Sequence, residues 1–280
     1  MTRHITHITS GVPASDGAGV KLTRILGSPQ LDMVDPLLML DRFESDNPED
    51  YIAGFPPHPH RGFETVTYML AGKMRHKDSV GNAGVIGPGG VQWMRAGRGI
   101  IHSEMPEQEA GLMRGFQLWI NLPASHKLCA PDYQEFTAAD IPSEATEAGG
   151  EIRVIAGITD AGTRGAVSNA ETAPIYLDVS LTAGERFALA IPESHNAVVQ
   201  MVEGDIIDDR YTALSARQFG VLSPNGRVSL SAGDTGARFL LIGGRALKEP
   251  IARGGPFVMN TRAEVLQAIE DYKSGNFARG

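Results

Sequence analysis

Apolar residues in this chain gather in short runs that glycine and proline keep interrupting, the pattern of many brief strands joined by turns. Runs at 65–70, 84–86, 91–94, 115–122, 152–158, 175–181, 197–202, 219–222 and 238–242 predict strands, and their spacing suits sandwiches or barrels. The expected class is therefore all-β. One stretch near the end keeps a helical rhythm instead. There Thr261 and Glu264 fit a capping box ahead of Val265, Leu266, Ile269 and Tyr272, which predicts a short helix. A shorter helical piece after Ser125 competes with the proline in ASHKLCAPDY.

The pattern also repeats. Thr67-Tyr68-Met69-Leu70-Ala71-Gly72 is echoed by Val199-Gln200-Met201-Val202-Glu203-Gly204, an apolar strand ending at glycine in each case. A second echo pairs GVIGPGG at 84–90 with GVLSPNG at 220–226, strand running into a Pro-Gly type of turn. The duplication predicts two related β-barrels, residues 1–136 and 137–280, with the boundary in the polar, acidic stretch 137–150 and the helix closing the second.

Composition narrows the class of protein. At 280 residues, with 42% hydrophobic and 21% charged positions, the chain can bury a substantial core and reads as an ordinary globular protein. No apolar run approaches the roughly 20 residues that a membrane-crossing helix needs. The opening MTRHITHITSGVPASDG resembles neither a secretory signal nor an anchor, so a cytoplasmic location is expected. A single cysteine, Cys129, rules out an internal disulfide and a thiolate metal cluster, and is expected to be a small buried side chain. The net charge of -8 opposes the phosphate neutralisation on which nonspecific DNA binding depends, so no direct nucleic-acid partner is expected.

Against this β background two dyads carry chemistry, His58-Pro59-His60 and His102-Ser103-Glu104. Residues two apart on a strand share a face, so two neighbouring strands can aim three imidazoles and a carboxylate at one ion. A lone His-x-His is more often a surface or hydrogen-bonding pair than a metal site. Continuing the register of His58 and His60 reaches Glu64, Val66, Tyr68 and Leu70, which makes the histidine face the largely apolar one that turns inward. Inward polar groups need a partner, and a cation supplies one. Imidazole and carboxylate suit Fe, Mn, Cu, Ni, Co or Zn without choosing among them.

Glu64 shares the face of His60 in this reading and rivals Glu104 for the carboxylate position. Glu104 is preferred because it accompanies His102, leaving Glu64 as a supporting hydrogen-bond partner or a structural acid. His4, His7, His76 and His126 lie in polar or charged stretches and are expected to be solvated, and Arg98 in Gly97-Arg98-Gly99 reads as a solvated turn residue. The echo maps positions 58, 60 and 64 onto Ala190, Pro192 and Asn196, so the second barrel is expected to lack a metal, with His195 standing alone. Gly87-Pro88-Gly89-Gly90 lacks the Lys-Ser/Thr ending of a phosphate loop and reads as a turn, and no G-x-S-x-G elbow presents a serine nucleophile.

Four segments, HPHRGFETVTYMLAGKMRHKDSVGNAG, VQWMRAGRGIIHSE, GFQLWINLP and GPFVMNT, resemble the pirin family of the cupin superfamily, and the resemblance spans most of the chain. It implies a bicupin whose first barrel carries one mononuclear metal, often iron, on His58, His60, His102 and Glu104, while the second has lost its site. Some members resemble quercetinases, which cleave a flavonol with O2 and release carbon monoxide. An animal member acts as a transcriptional coregulator. The resemblance thus implies a metal-dependent dioxygenase acting on a flavonol-like aromatic, and for such a reaction Glu104 is expected to take the proton of the 3-hydroxyl as general base. A metal- or redox-responsive protein-interaction role without turnover is the competing class, and Lewis-acid isomerase or hydrolase chemistry a third.

Overall fold

The computed structural model describes residues 1–168 and 170–277. All nine predicted strands are present, and the all-β expectation holds. The strands form open sheets packed as sandwiches, so the expected barrels are not closed by hydrogen bonding among the described residues.

Two compact units emerge, and they do not follow a single cut at 136/137. One comprises Met1–Gly11, Ser28–Pro36 and Ala139–Ala246. The other comprises Val12–Gly27, Leu37–Ala138 and the chain from Leu247 onward, so the terminal helix belongs with the first-half strands rather than with the second half. Strand pairing explains the first exchange, because Ile5–Thr9 lies antiparallel to Phe219–Leu222.

In the unit built mainly from the second half, a nine-stranded sheet wraps a continuous apolar core that includes Leu177, Val199, Phe239 and Leu241. Its long strands His195–Asp208 and Arg227–Arg245 pair along most of their length, shifting register at Met201/Glu203 and Gly204/Ile206. Ala190, which the echo aligns with His58, ends its strand exposed. His195 Nε2 donates to the Ala173 carbonyl, 2.8 Å away, in keeping with a structural histidine.

The other unit contains a seven-stranded and a four-stranded sheet. The seven strands run in the order Asp132–Phe136, Val91–Arg95, Phe63–Ala71, Met113–Asn121, Leu37–Ser45, Val20–Leu26 and Val12–Asp16. The four are Phe55–His60, Ile100–Pro106, Met74–Asp78 and Ala83–Ile86. Between Phe55–His60 and Phe63–Ala71 the chain leaves one sheet for the other. Gly62 makes that step at φ +87°, where a Cβ would fall 2.0 Å from the Val258 carbonyl oxygen. No side chain fits there, and L-residues rarely adopt that backbone.

The helix Arg262–Lys273 forms as predicted, with the Thr261 side chain accepting from the Glu264 amide and Glu264 reaching back to the Thr261 amide. The piece after Ser125 is a single 3-10 turn, Ala124–His126. No described helix is long and apolar enough to cross a membrane.

Candidate metal centre

Phe55–His60 and Ile100–Pro106 are antiparallel neighbours, with His102 directly opposite His58 and Ile100 opposite His60. Facing residues of an antiparallel pair share a side of the sheet, so the three imidazoles meet. One nitrogen from each of His58, His60 and His102 lies within 4.8 Å of the others. The ring centroids are 4.4 to 4.9 Å apart. Proline at 59 is tolerated because Phe55–His60 is an edge strand.

The arrangement suits a cation by its hydrogen bonding alone. His102 is 1% exposed, and among the described residues neither of its ring nitrogens has a hydrogen-bond partner. A buried imidazole left so costs free energy unless something accepts its lone pair. His58 Nδ1 lies 2.9 Å from the Pro56 carbonyl, which fixes its proton there and turns the Nε2 lone pair toward His60 Nε2, 3.0 Å away. Burial, and then repulsion from His58, holds His60 well below the usual histidine pKa; burial, and then the other histidines, does the same to His102. Both rings are thus neutral bases at pH 7, the form that ligates a metal.

Glu104 enters the same cavity but does not join the tight cluster of imidazoles. A register irregularity after His102 sets Glu104 opposite Phe55, and its Oε1 accepts a 2.7 Å hydrogen bond from the Thr67 hydroxyl. Burial raises its pKa, while the Thr67 bond and the nearby histidines lower it in part.

Glu64 lies elsewhere. The register of His58 and His60 does not continue past Arg61 and Gly62, because the chain changes sheets there. On the next strand Glu64 stands three residues from Thr67 and so faces the other way. The rival carboxylate is therefore turned from the face that meets Glu104.

His76 is the clearest departure from expectation. In MRHKD the burial alternates, with Met74, His76 and Asp78 inward and Arg75 and Lys77 outward. His76 is 1% exposed, with Nε2 2.6 Å from Glu135 Oε2 and 2.5 Å from the Tyr133 hydroxyl. It sits directly across from Glu104 on the adjacent strand. Lys127 is likewise buried, its Nζ donating to the carbonyls of Gly62 and Val258 at 2.8 Å each and to Asn121 Oδ1. Cys129 is only partly buried.

A cavity of about 660 Å³ opens beside the histidines. Its apolar wall includes Leu22, Met39, Phe43, Phe55 and Trp119, the last packing edge-on against His60 at 5.2 Å. Thr67, Gln117, Asp41 and Arg24 also face it, residues that sequence reasoning passed over. Their one signal was a polar side chain recurring inside otherwise apolar strands.

Two family models match this chain, Pirin over residues 19–120 and the Pirin C-terminal cupin domain over residues 176–278. A pirin-like protein of Caulobacter vibrioides is 51% identical over 98% of this chain and 99% of its own length. A Pseudomonas aeruginosa protein named as a candidate quercetin 2,3-dioxygenase is 50% identical over 99% of this chain and 100% of its own. The crystal structure of quercetin 2,3-dioxygenase from Acinetobacter baumannii superposes with a TM-score of 0.89 at 34% identity, covering 99% of each chain. With the fold, the histidine cluster and near full-length relatives in agreement, the chain belongs to the pirin family of two-domain cupins.

Proposed function

We propose that this protein is a metal-dependent dioxygenase that cleaves a flavonol with O2, using one divalent transition metal held by His58, His60, His102 and Glu104, with iron the foremost candidate. The observation that carries the reading is the convergence of three imidazoles, two of them fully buried, at one side of a cavity large enough for a small aromatic molecule. The likeness to a quercetin 2,3-dioxygenase supports the substrate class. The single cysteine supports a cytoplasmic setting.

A bound redox metal would supply a Lewis-acid site that favours the ionised 3-oxygen of the substrate and brings it together with O2. The protein's own groups do the rest. Thr67 restrains Glu104 through Oε1, leaving the other carboxylate oxygen to take the proton from the 3-hydroxyl or to swing onto the metal. Trp119, Phe43 and Met39 offer flat and apolar contacts for an aromatic ring and displace water from around it. Holding the reacting groups together in this way lowers the entropic cost of their encounter.

The test is aerobic incubation of metal-loaded protein with quercetin, with carbon monoxide measured in the headspace and an anaerobic control. Carbon monoxide in proportion to quercetin consumed is expected. No product across Fe, Mn, Co, Ni and Cu, with occupancy established for each, would remove the dioxygenase reading and leave a metal-responsive interaction protein.

A further inference from the structure

One row of side chains crosses the inner face of the seven-stranded sheet at right angles to its strands. Arg24 is registered with Asp41, Asp41 with Gln117, Gln117 with Thr67, Thr67 with Gln92, and Gln92 with Glu135. Every member is polar. The neighbours two residues away on the same strands are largely apolar: Leu22, Met39, Phe43 and Trp119. A polar row buried against an apolar layer costs free energy unless its groups are hydrogen-bonded.

Part of that need is met internally. Arg24 donates to both oxygens of Asp41, at 3.0 and 2.7 Å, and to Asp16 at 2.8 Å. The Thr67 oxygen lies 2.7 Å from Glu104 Oε1 and 2.6 Å from the Gln117 carboxamide oxygen. Thr67 has one proton, so when Glu104 is ionised the hydroxyl donates to it and the Gln117 amide turns to donate to Thr67. The rest of the Gln117 carboxamide has no other protein partner among the described residues, and each Asp41 oxygen keeps a free lone pair. Both residues line the cavity.

We infer that Arg24, Asp41 and Gln117 are specificity-determining residues that read hydroxyl groups on the part of an elongated, flat aromatic ligand remote from the histidines. Strands lie about 4.8 Å apart, so the row extends roughly 14 Å from Thr67, beside Glu104, to Arg24. A ligand anchored at the histidine end and lying along this row meets an amide, then a carboxylate, then a guanidinium. Phenolic hydroxyls donate and accept, so they can bond to each of these groups. An unsubstituted ring laid on the same groups would strip water from them without replacement. The inference rests on the flavonol reading for the ligand's anchored end, and binding tests it separately from turnover.

Calorimetry on the metal-loaded protein compares quercetin with 3-hydroxyflavone, which keeps the 3-hydroxyl and 4-keto group but lacks the other ring hydroxyls. Wild type is expected to bind quercetin tighter by on the order of ten-fold or more. That ratio is expected to shrink toward one in Gln117→Met, which keeps side-chain length, and in Asp41→Asn, with thermal unfolding used to verify that each variant is folded. A wild-type ratio near one, a ratio undiminished in every folded variant, or no binding of either compound overturns the inference. Carbon monoxide release without the preference sinks this inference alone. The preference without carbon monoxide sinks the dioxygenase reading and leaves the row as a selective binding element.

Discussion

At His102 burial makes stability depend on pH. The folded pKa of His102, like that of His60, lies well below the ordinary histidine value of about 6.5. An unfolded chain therefore binds more protons than the folded one as pH falls below that value, and stability declines in that direction. Metal-free protein is expected to show a falling unfolding midpoint between pH 8 and 5.5, and His102→Gln to flatten the slope. A midpoint that does not move would show that these rings are not held neutral by burial. Glu104 works the other way, since its raised pKa contributes stability at low pH that is lost as pH rises through the folded value, so the variant is needed to isolate the histidine part. The clustering of His58, His60 and His102 was legible because the spacing within each dyad is the strand period. His76 was not, since Arg75 and Lys77 on the outer face gave the stretch its charged look while every second residue turned inward.

The elements show the same division. Strands rich in apolar residues announced themselves, and the terminal helix was readable from Thr261 and Glu264. Phe55–His60, with its three prolines, and the charged Met74–Asp78 have no apolar run, and their strand character comes from pairing with Ile100–Pro106. The change of sheet at Gly62, which turned Glu64 away, likewise lies in tertiary contacts that no local pattern records. Lys127 fastens that step to the strand Phe257–Met259 by bonding the Gly62 and Val258 carbonyls together. Burial pulls its pKa down to about 7, against the opposing pull of Glu249 and Glu264. Lys127→Met would leave buried carbonyls without a donor and is expected to cost ~3 kcal/mol in urea unfolding. A loss below ~1 kcal/mol would mean that the three bonds are not stabilising the step.

For the molecule as a whole, the internal echoes foretold two units but not the exchange of chain segments between them, because an echo reports resemblance and not adjacency. Arg61 shows what draws the terminal segment to the histidine-bearing unit. Its guanidinium donates to Asp271 at 2.6 Å, to the Phe277 carbonyl at 3.1 Å and to the Arg98 carbonyl at 2.5 Å, and it lies 4.5 Å from the Phe277 ring centroid. Arg61 follows His60 directly, so the helix is anchored one residue from a proposed ligand. Arg61→Gln is expected to speed amide hydrogen exchange across Arg262–Lys273 and to lower stability by ~3 kcal/mol. Unchanged exchange would show that apolar packing alone holds the helix. The order of synthesis follows from the same arrangement. A ribosome delivers the histidines first, yet the unit that surrounds them awaits the stretch from Leu247 onward, so the nascent chain carries an unfinished histidine pocket until that stretch emerges.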